Sequence, residues 1–256
     1  MISFSVLGSG SKGNAVFVET TETTLLIDCG FSGKETAKRL ECIGKCIDDV
    51  EAILVTHEHN DHIAGVGVLA RKLKIPVYAN EGTFCGGERK LGKIEKRILF
   101  ETGRSFTFKD LNVKPFRVSH DTEDPVGYVL EDGSSRFGYC TDTGKATQLM
   151  TQRLKGCHGL VLEFNHDPGM LKNGPYPLSL QQRVRSSHGH LSNQDATEFL
   201  NAIYHDNLTN VVLAHLSETN NLPEMAIAEI EANKEKYPGT RFEIASQIEP
   251  TELIRI

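Results

Sequence analysis

The stretch "LVTHEHNDHIAG", Leu54–Gly65, runs from an apolar segment, "AILV", straight into three histidines and two acids within six positions. Crowded imidazoles repel one another when protonated and waste donors when buried. A cation that uses their lone pairs turns that cost into binding energy. His57 and His59 are one residue apart, and at the end of an extended strand side chains i and i+2 point the same way. Both can therefore reach one cation. Asp61 and His62 come where the chain turns into a helix and can serve a second cation close by.

Two cations need more ligands than this stretch supplies, and the rest of the chain offers them in similar places. "ISFSVL", "AVFVET" and "TLLIDCG" read as strands bounded by Gly, Ser and Thr. "SGKETAKRLECIG" reads as an amphipathic helix, with Cys42 and Cys46 on one face. "HIAGVGVLARKLK" reads as one helix with Ile63, Val66, Leu69 and Leu73 on one side. A meander, "RILF", "SFTFKDLNVKPFRVSH" and "VGYVLED", is followed by a second strand–helix cycle. Its strands end in Asp142, in Asn165, His166 and Asp167, and in His215. Ser192 caps one of its helices, with Asp195 three residues on, and Pro223 opens another.

Polar, ligand-type residues thus recur at the C-terminal ends of strands, where α/β folds place their sites. The ligand count closes with His57, His59 and His120 on one metal, Asp61, His62 and His215 on the other, and Asp142 bridging. Asp61 and Asp142 are candidate catalytic residues. No thiolate is among the ligands, so two divalent ions, zinc, manganese or iron, suit the set.

Composition excludes little else. Apolar residues make up 39% and charged residues 24% of 256 positions, enough to bury a core. The net charge of −6 argues against a surface coated with cations for nucleic acid. One local basic patch stands out: "QQRVRSSHGH", with Arg183, Arg185, His188 and His190 and no acid. No positive segment precedes the short apolar run at the N-terminus and no stretch is long enough to span a bilayer. A cytoplasmic chain with free cysteines and no membrane partner is expected.

The order HxHxDH, then a single His, a single Asp and a last His at strand ends, resembles the metal set of the metallo-β-lactamase superfamily. "LLIDCG", with Asp28, resembles its early Asp motif. The resemblance implies an α/β (α+β) fold, an αββα sandwich. The chain is expected to be a single domain, 1–256, with half-domains of about 1–120 and 121–256 and a small cap near 165–192. Asp28 is expected to hold the ligand loop from behind. His62 after Asp61 resembles the glyoxalase and nuclease branches more than the antibiotic enzymes, and the step from Asp142 to His215 is too short for the inserted domain of β-CASP nucleases.

"LGSGSKGN", "THEHNDH", "EFNHD", "GHLSN" and "HLSETNN" together resemble the YycJ/WalJ-type branch. That implies 5′→3′ exonuclease action on DNA, mainly double-stranded. It also implies a phosphate-binding or general-acid role for His190, which otherwise packs against the cap of the Ser192 helix. Asn165 and His166 would rim the site. Arg183, Arg185 and His188 would meet the DNA backbone. The loop of Ser9, Ser11 and Asn14 either offers amides to a phosphate or is a tight turn. A small-molecule phosphodiesterase and a glyoxalase-II-like thioesterase are the rival readings.

Overall fold

The computed structural model describes residues 1–256. Six strands come first: β1 (Ser3–Gly8), β2 (Ala15–Glu19), β3 (Thr24–Ile27), β4 (Ala52–Leu54), β5 (Val77–Ala79) and β6 (Arg97–Leu99). They lie side by side in that order. A second sheet follows, again in running order: β7 (Phe106–Phe108), β8 (Leu111–Arg117), β9 (Val126–Glu131), β10 (Arg136–Cys140), β11 (Gly159–Glu163), β12 (Asn210–Ala214) and β13 (Arg241–Ile244). The last strand, β14 (Ile254–Arg255), returns to pair with β1, so each sheet has seven strands.

Nine helices fill the connections: α1 (Gly33–Cys42), α2 (Asn60–Ile63), α3 (Val66–Leu73), α4 (Glu81–Leu91), α5 (Gln148–Leu154), α6 (Pro168–Asn173), α7 (Leu178–Val184), α8 (Asn193–Ile203) and α9 (Pro223–Glu231). Parallel runs β3–β6 and β10–β13 need such crossovers. Leu40, Val66, Leu69 and Phe84 pack on the outer face of the first sheet. Met150, Leu154, Leu200 and Ile230 do so on the second. Between the sheets lies a third apolar layer, with Phe4, Val16, Leu54, Tyr128, Phe137, Val161 and Val212 fully or almost fully buried. Strands covered on both faces read as continuous apolar runs, as "LLI" and "VVLA" do. The layers are helix, sheet, sheet, helix. No helix is long and apolar enough to cross a membrane.

Three local readings change. The helix expected over "HIAGVGVLARKLK" is broken at Gly65, where a Cβ would stand 1.9 Å from the Phe31 carbonyl oxygen. The close approach of these two backbones, not periodicity, decides the break. α1 stops at Cys42 and the chain turns at Gly44, so Cys46 does not share its face. α4 lies where no helix was expected; Asn80 caps it by accepting from the Thr83 amide at 2.9 Å. The chain passes from the first sheet to the second between Leu99 and Phe106; "LNVKPFR" pairs with β9, and "FTF" adds to it as a hairpin turned at Lys109.

Two hydrogen bonds tie the sheets under the histidine segment: the Val126 amide donates to the Thr56 carbonyl at 3.0 Å, and a side chain makes the other. Tyr128, fully buried on β9, donates its hydroxyl to the Val55 carbonyl, just beyond β4, at 2.5 Å. Tyr128→Phe strands that carbonyl, and the cost of an unsatisfied buried group is about 1–3 kcal/mol. The urea midpoint of the variant is expected to fall accordingly with an unchanged denaturant slope.

Candidate metal centre

Most of the site is built from the segments that leave the strands. His57, His59, Asp61 and His62 follow β4; Asp28 follows β3; His120 follows β8; Asp142 follows β10; His215 follows β12. Asp28, Asp142 and His215 sit at φ of 60°, 58° and 58°. That is the left-handed region, uncommon for residues with a Cβ and concentrated at functional sites. The backbone there turns sharply as it leaves the sheet.

The side chains meet in three overlapping groups: His57, His59 and His120; His57, His62 and Asp142; Asp142, Glu163, His190 and His215. Within each group the ligand-type atoms lie no more than 4.8 Å apart. His59 Nδ1 and His120 Nε2 are 3.2 Å apart, and the His57 and His62 ring centres 4.0 Å. Asp142 lies 3.4 Å from His62 Nε2 and 3.3 Å from His215 Nε2. Asp61 approaches His62 Nε2 at 3.5 Å, and its other neighbour is Asn14, which donates to it at 3.0 Å.

The electrostatics suit a cation. His57 Nε2 and Asp142 Oδ2 are buried without a hydrogen-bond partner, and such orphaned groups are costly unless something satisfies them. Burial, with His62 beside it, pushes the pKa of His57 well below its ordinary range, and burial lowers His59 and His215 as well. Burial thus favours the neutral imidazole, the form a metal ligand must have. Burial opposes ionisation of Asp142, but His215, His62, His57 and His120 together hold its carboxyl far below the usual range. His62 goes the other way. Burial would lower it, yet Asp142, Asp28 and Asp61 push it up to about 10. The negative charge that favours a proton there also suits a cation.

Behind the ligands, Asp28 is fully buried. It accepts from the Thr56 amide at 2.8 Å, the Thr56 hydroxyl at 2.8 Å and His62 Nδ1 at 2.7 Å. Asp28 thereby fixes which His62 nitrogen faces the cluster. Ser9 Oγ accepts from the His215 amide at 2.9 Å. The glycine–serine loop is a brace: the amides of Ser9, Gly10, Lys12, Gly13 and Asn14 are all spent on protein acceptors. Ser11 alone reaches the neighbouring pocket.

That pocket, about 200 Å³, opens beside His120, His190 and His215 and is walled by α7 and the loop after β12. Asn165 lines it and donates to the His215 carbonyl at 2.9 Å. Arg183 lines it and donates to Asp121 at 2.7 Å. His166 is buried behind the wall, pairing with Ser192. Arg185 and His188 stay exposed outside it. Burial brings His166 down to about 4.

Glu163 went unnoticed in the sequence. It ends β11, fully buried, and accepts from His190 Nδ1 at 2.7 Å and from the amides of Thr143 and Leu191. Burial alone would lower His190, but the Glu163 charge and hydrogen bond, with Asp142, raise it to about 9. The one available signal was a carboxylate closing an otherwise apolar strand, "GLVLE".

Comparison with known proteins agrees with this geometry. The family of beta-lactamase superfamily domains matches residues 23–250. The chain is 42% identical to exodeoxyribonuclease YycJ of Bacillus anthracis over 94% of this chain and 93% of that protein. It is 40% identical to exodeoxyribonuclease WalJ of Streptococcus pneumoniae over 87% of this chain and 84% of that one. Among solved structures, the metallo-beta-lactamase fold protein YhfI of Bacillus subtilis superposes with a TM-score of 0.75 at 18% identity, covering 98% of this chain and all of that one. A fold that uses divalent metal, and a buried histidine–aspartate cluster able to hold it, meet in one chain. The protein belongs to the beta-lactamase superfamily, in the family of YycJ and WalJ.

Proposed function

We propose that this hydrolase cleaves phosphodiester bonds of double-stranded DNA from the 5′ end, using two divalent ions, zinc or manganese, held by His57, His59, His120, Asp61, His62, His215 and Asp142. The observation that carries the reading is the His190–Glu163 pair at the rim of the ligand cluster. An alkoxide leaving group needs a proton; the thiolate released from a thioester leaves without one. A protonated imidazole, oriented by a buried carboxylate and facing an open pocket, supplies that proton. The names of the relatives support DNA as the substrate.

When bound, two such ions neutralise charge on the phosphate oxygens and make water nucleophilic near neutral pH. The chain's residues do the rest. Asp142, reached by His62, His120 and His215, orients the two halves of the ligand set on each other. Glu163 holds His190 Nδ1, so the remaining ring N–H points away from the carboxylate. As the water oxygen bonds to phosphorus, the P–O3′ bond breaks and His190 gives its proton to O3′. The product strand carries a new 5′-phosphate. Arg183, kept in place by Asp121, supplies positive charge at the pocket mouth.

The test uses purified protein of known metal content, 5′-labelled duplex DNA and bis-p-nitrophenyl phosphate, with and without Mn²⁺. Nucleotides are expected to leave the duplex 5′ end, and His57→Ala and Asp142→Ala to abolish release and lower bound metal. Cleavage of the small ester alone sinks the exonuclease reading in favour of a small-molecule phosphodiesterase.

His190→Ala separates a proton donor from a ligand. It is expected to lower kcat by about 10²–10⁴-fold with metal content unchanged; loss of metal would make His190 a ligand. Asp28→Asn releases the His62 ring and is expected to weaken metal binding by about 10–100-fold in equilibrium dialysis.

A further inference from the structure

The pocket beside His190 is larger than a proton transfer requires. Its volume of about 200 Å³ falls below the about 300–1,000 Å³ of sites for drug-sized ligands. It has room for one ring system and none for a duplex. His190 and His215 form its inner side; Tyr176, Leu180, Val184 and Leu216 give the walls their apolar character.

Tyr176 stands half-buried on the turn between α6 and α7, and that turn is fixed from both ends. Gln181 Nε2 donates to the Tyr176 carbonyl at 2.9 Å. Gly174 presses so closely on the loop after β12 that a Cβ there would lie 2.7 Å from Asn220 Oδ1 and 2.6 Å from the Met170 carbonyl oxygen. α7 is anchored in turn through Arg183 to Asp121 at 2.7 Å, and the segment after it through the Ser119 hydroxyl to the Ser187 carbonyl at 2.6 Å. The pocket is therefore formed before anything enters it.

The direction of bond breaking says what enters. The proton from His190 goes to the O3′ that leaves, and this oxygen belongs to the terminal nucleotide. The nucleoside bearing it lies on the side of His190, and the pocket is on that side. We propose that the pocket receives the leaving, terminal nucleoside and that Tyr176 stacks on its base. The assignment rests on the phosphodiester reading above. Stacking on an aromatic face is tolerant of sequence, because every base has a π-face. An exonuclease that must accept each base in turn needs that tolerance.

Two measurements test this. In calorimetric titrations of the metal-loaded protein, dAMP is expected to bind at least about tenfold more tightly than 2-deoxyribose 5-phosphate, the low end of what one stacked base contributes. Tyr176→Ala should erase that preference and Tyr176→Phe should keep it. In the second, the duplex carries a natural or an abasic 5′-terminal nucleotide. The abasic end is expected to raise KM of the wild type about tenfold; Tyr176→Ala should raise KM on the natural end by the same factor and add nothing on the abasic end.

Equal binding of dAMP and the sugar phosphate by the wild type overturns the proposal. So does a Tyr176→Ala loss of the same size on both duplexes, which would make Tyr176 a support for the cap. A preference for dAMP that depends on Tyr176, in a protein that degrades no DNA, would keep Tyr176 as a base-stacking residue and remove the exonuclease reading with the leaving-nucleoside role.

Discussion

A carboxylate shut away from water must find donors, and the donors that Asp28 finds organise the site. Burial raises its pKa, and the His62 charge, with hydrogen bonds from His62 and Thr56, works against that rise. The three hydrogen bonds run from the end of β3 to the first residue after Val55 and to the short helix α2. The segment "THEHNDH" is thus gripped at both ends while its middle stays free to present His57 and His59. Remove the grip and His62 can flip its ring, His57 loses the Thr56 hydroxyl at 2.9 Å, and the lone pairs no longer converge. Fixing a ligating imidazole through its other nitrogen is how such centres gain affinity without adding ligands.

The strain at the strand ends belongs to the same arrangement. A non-glycine residue in the left-handed region costs about 1–3 kcal/mol, and Asp28, Asp142 and His215 each adopt it. Each is held by partners: Asp28 by its donors, His215 by Ser9 and Asn165, Asp142 by the histidines around it. The apolar layer between the sheets supplies the stability against which these local costs are set. The histidine segment lies directly above that layer, where Tyr128 and Val55 join the sheets.

Much of this was legible in the sequence. Strand ends announce themselves, because an apolar run that stops at His, Asp or Asn has few other reasons to do so. His57, His59, His120, Asp142 and His215 were found that way. What stayed hidden depends on contacts between distant segments. Gly65 looks like any helix glycine until the Phe31 carbonyl is placed against it. Gly86 and Gly87 mask α4. Glu163 sits in a strand, where a single acid normally marks an exposed face; only the fold shows that it faces His190 from the interior. Tyr176 lies in a run of Pro, Gly and Ser that reads as loop, and its place at the pocket wall comes from the loop after β12, more than forty residues away. The basic patch was read as one surface, but α7 divides it: Arg183 faces the pocket while Arg185 and His188 face solvent.

The two seven-stranded sheets contribute unequal halves of the ligand set: His57, His59, Asp61 and His62 come from the first, His120, Asp142 and His215 from the second. An ion held by both sets would tie the first sheet to the second at the strand ends that carry these residues. Any species that binds the joined sheets and not the separated ones stabilises the chain by mass action. A bound ion would then add to the stability of the fold at its ligand end as well as serve the reaction.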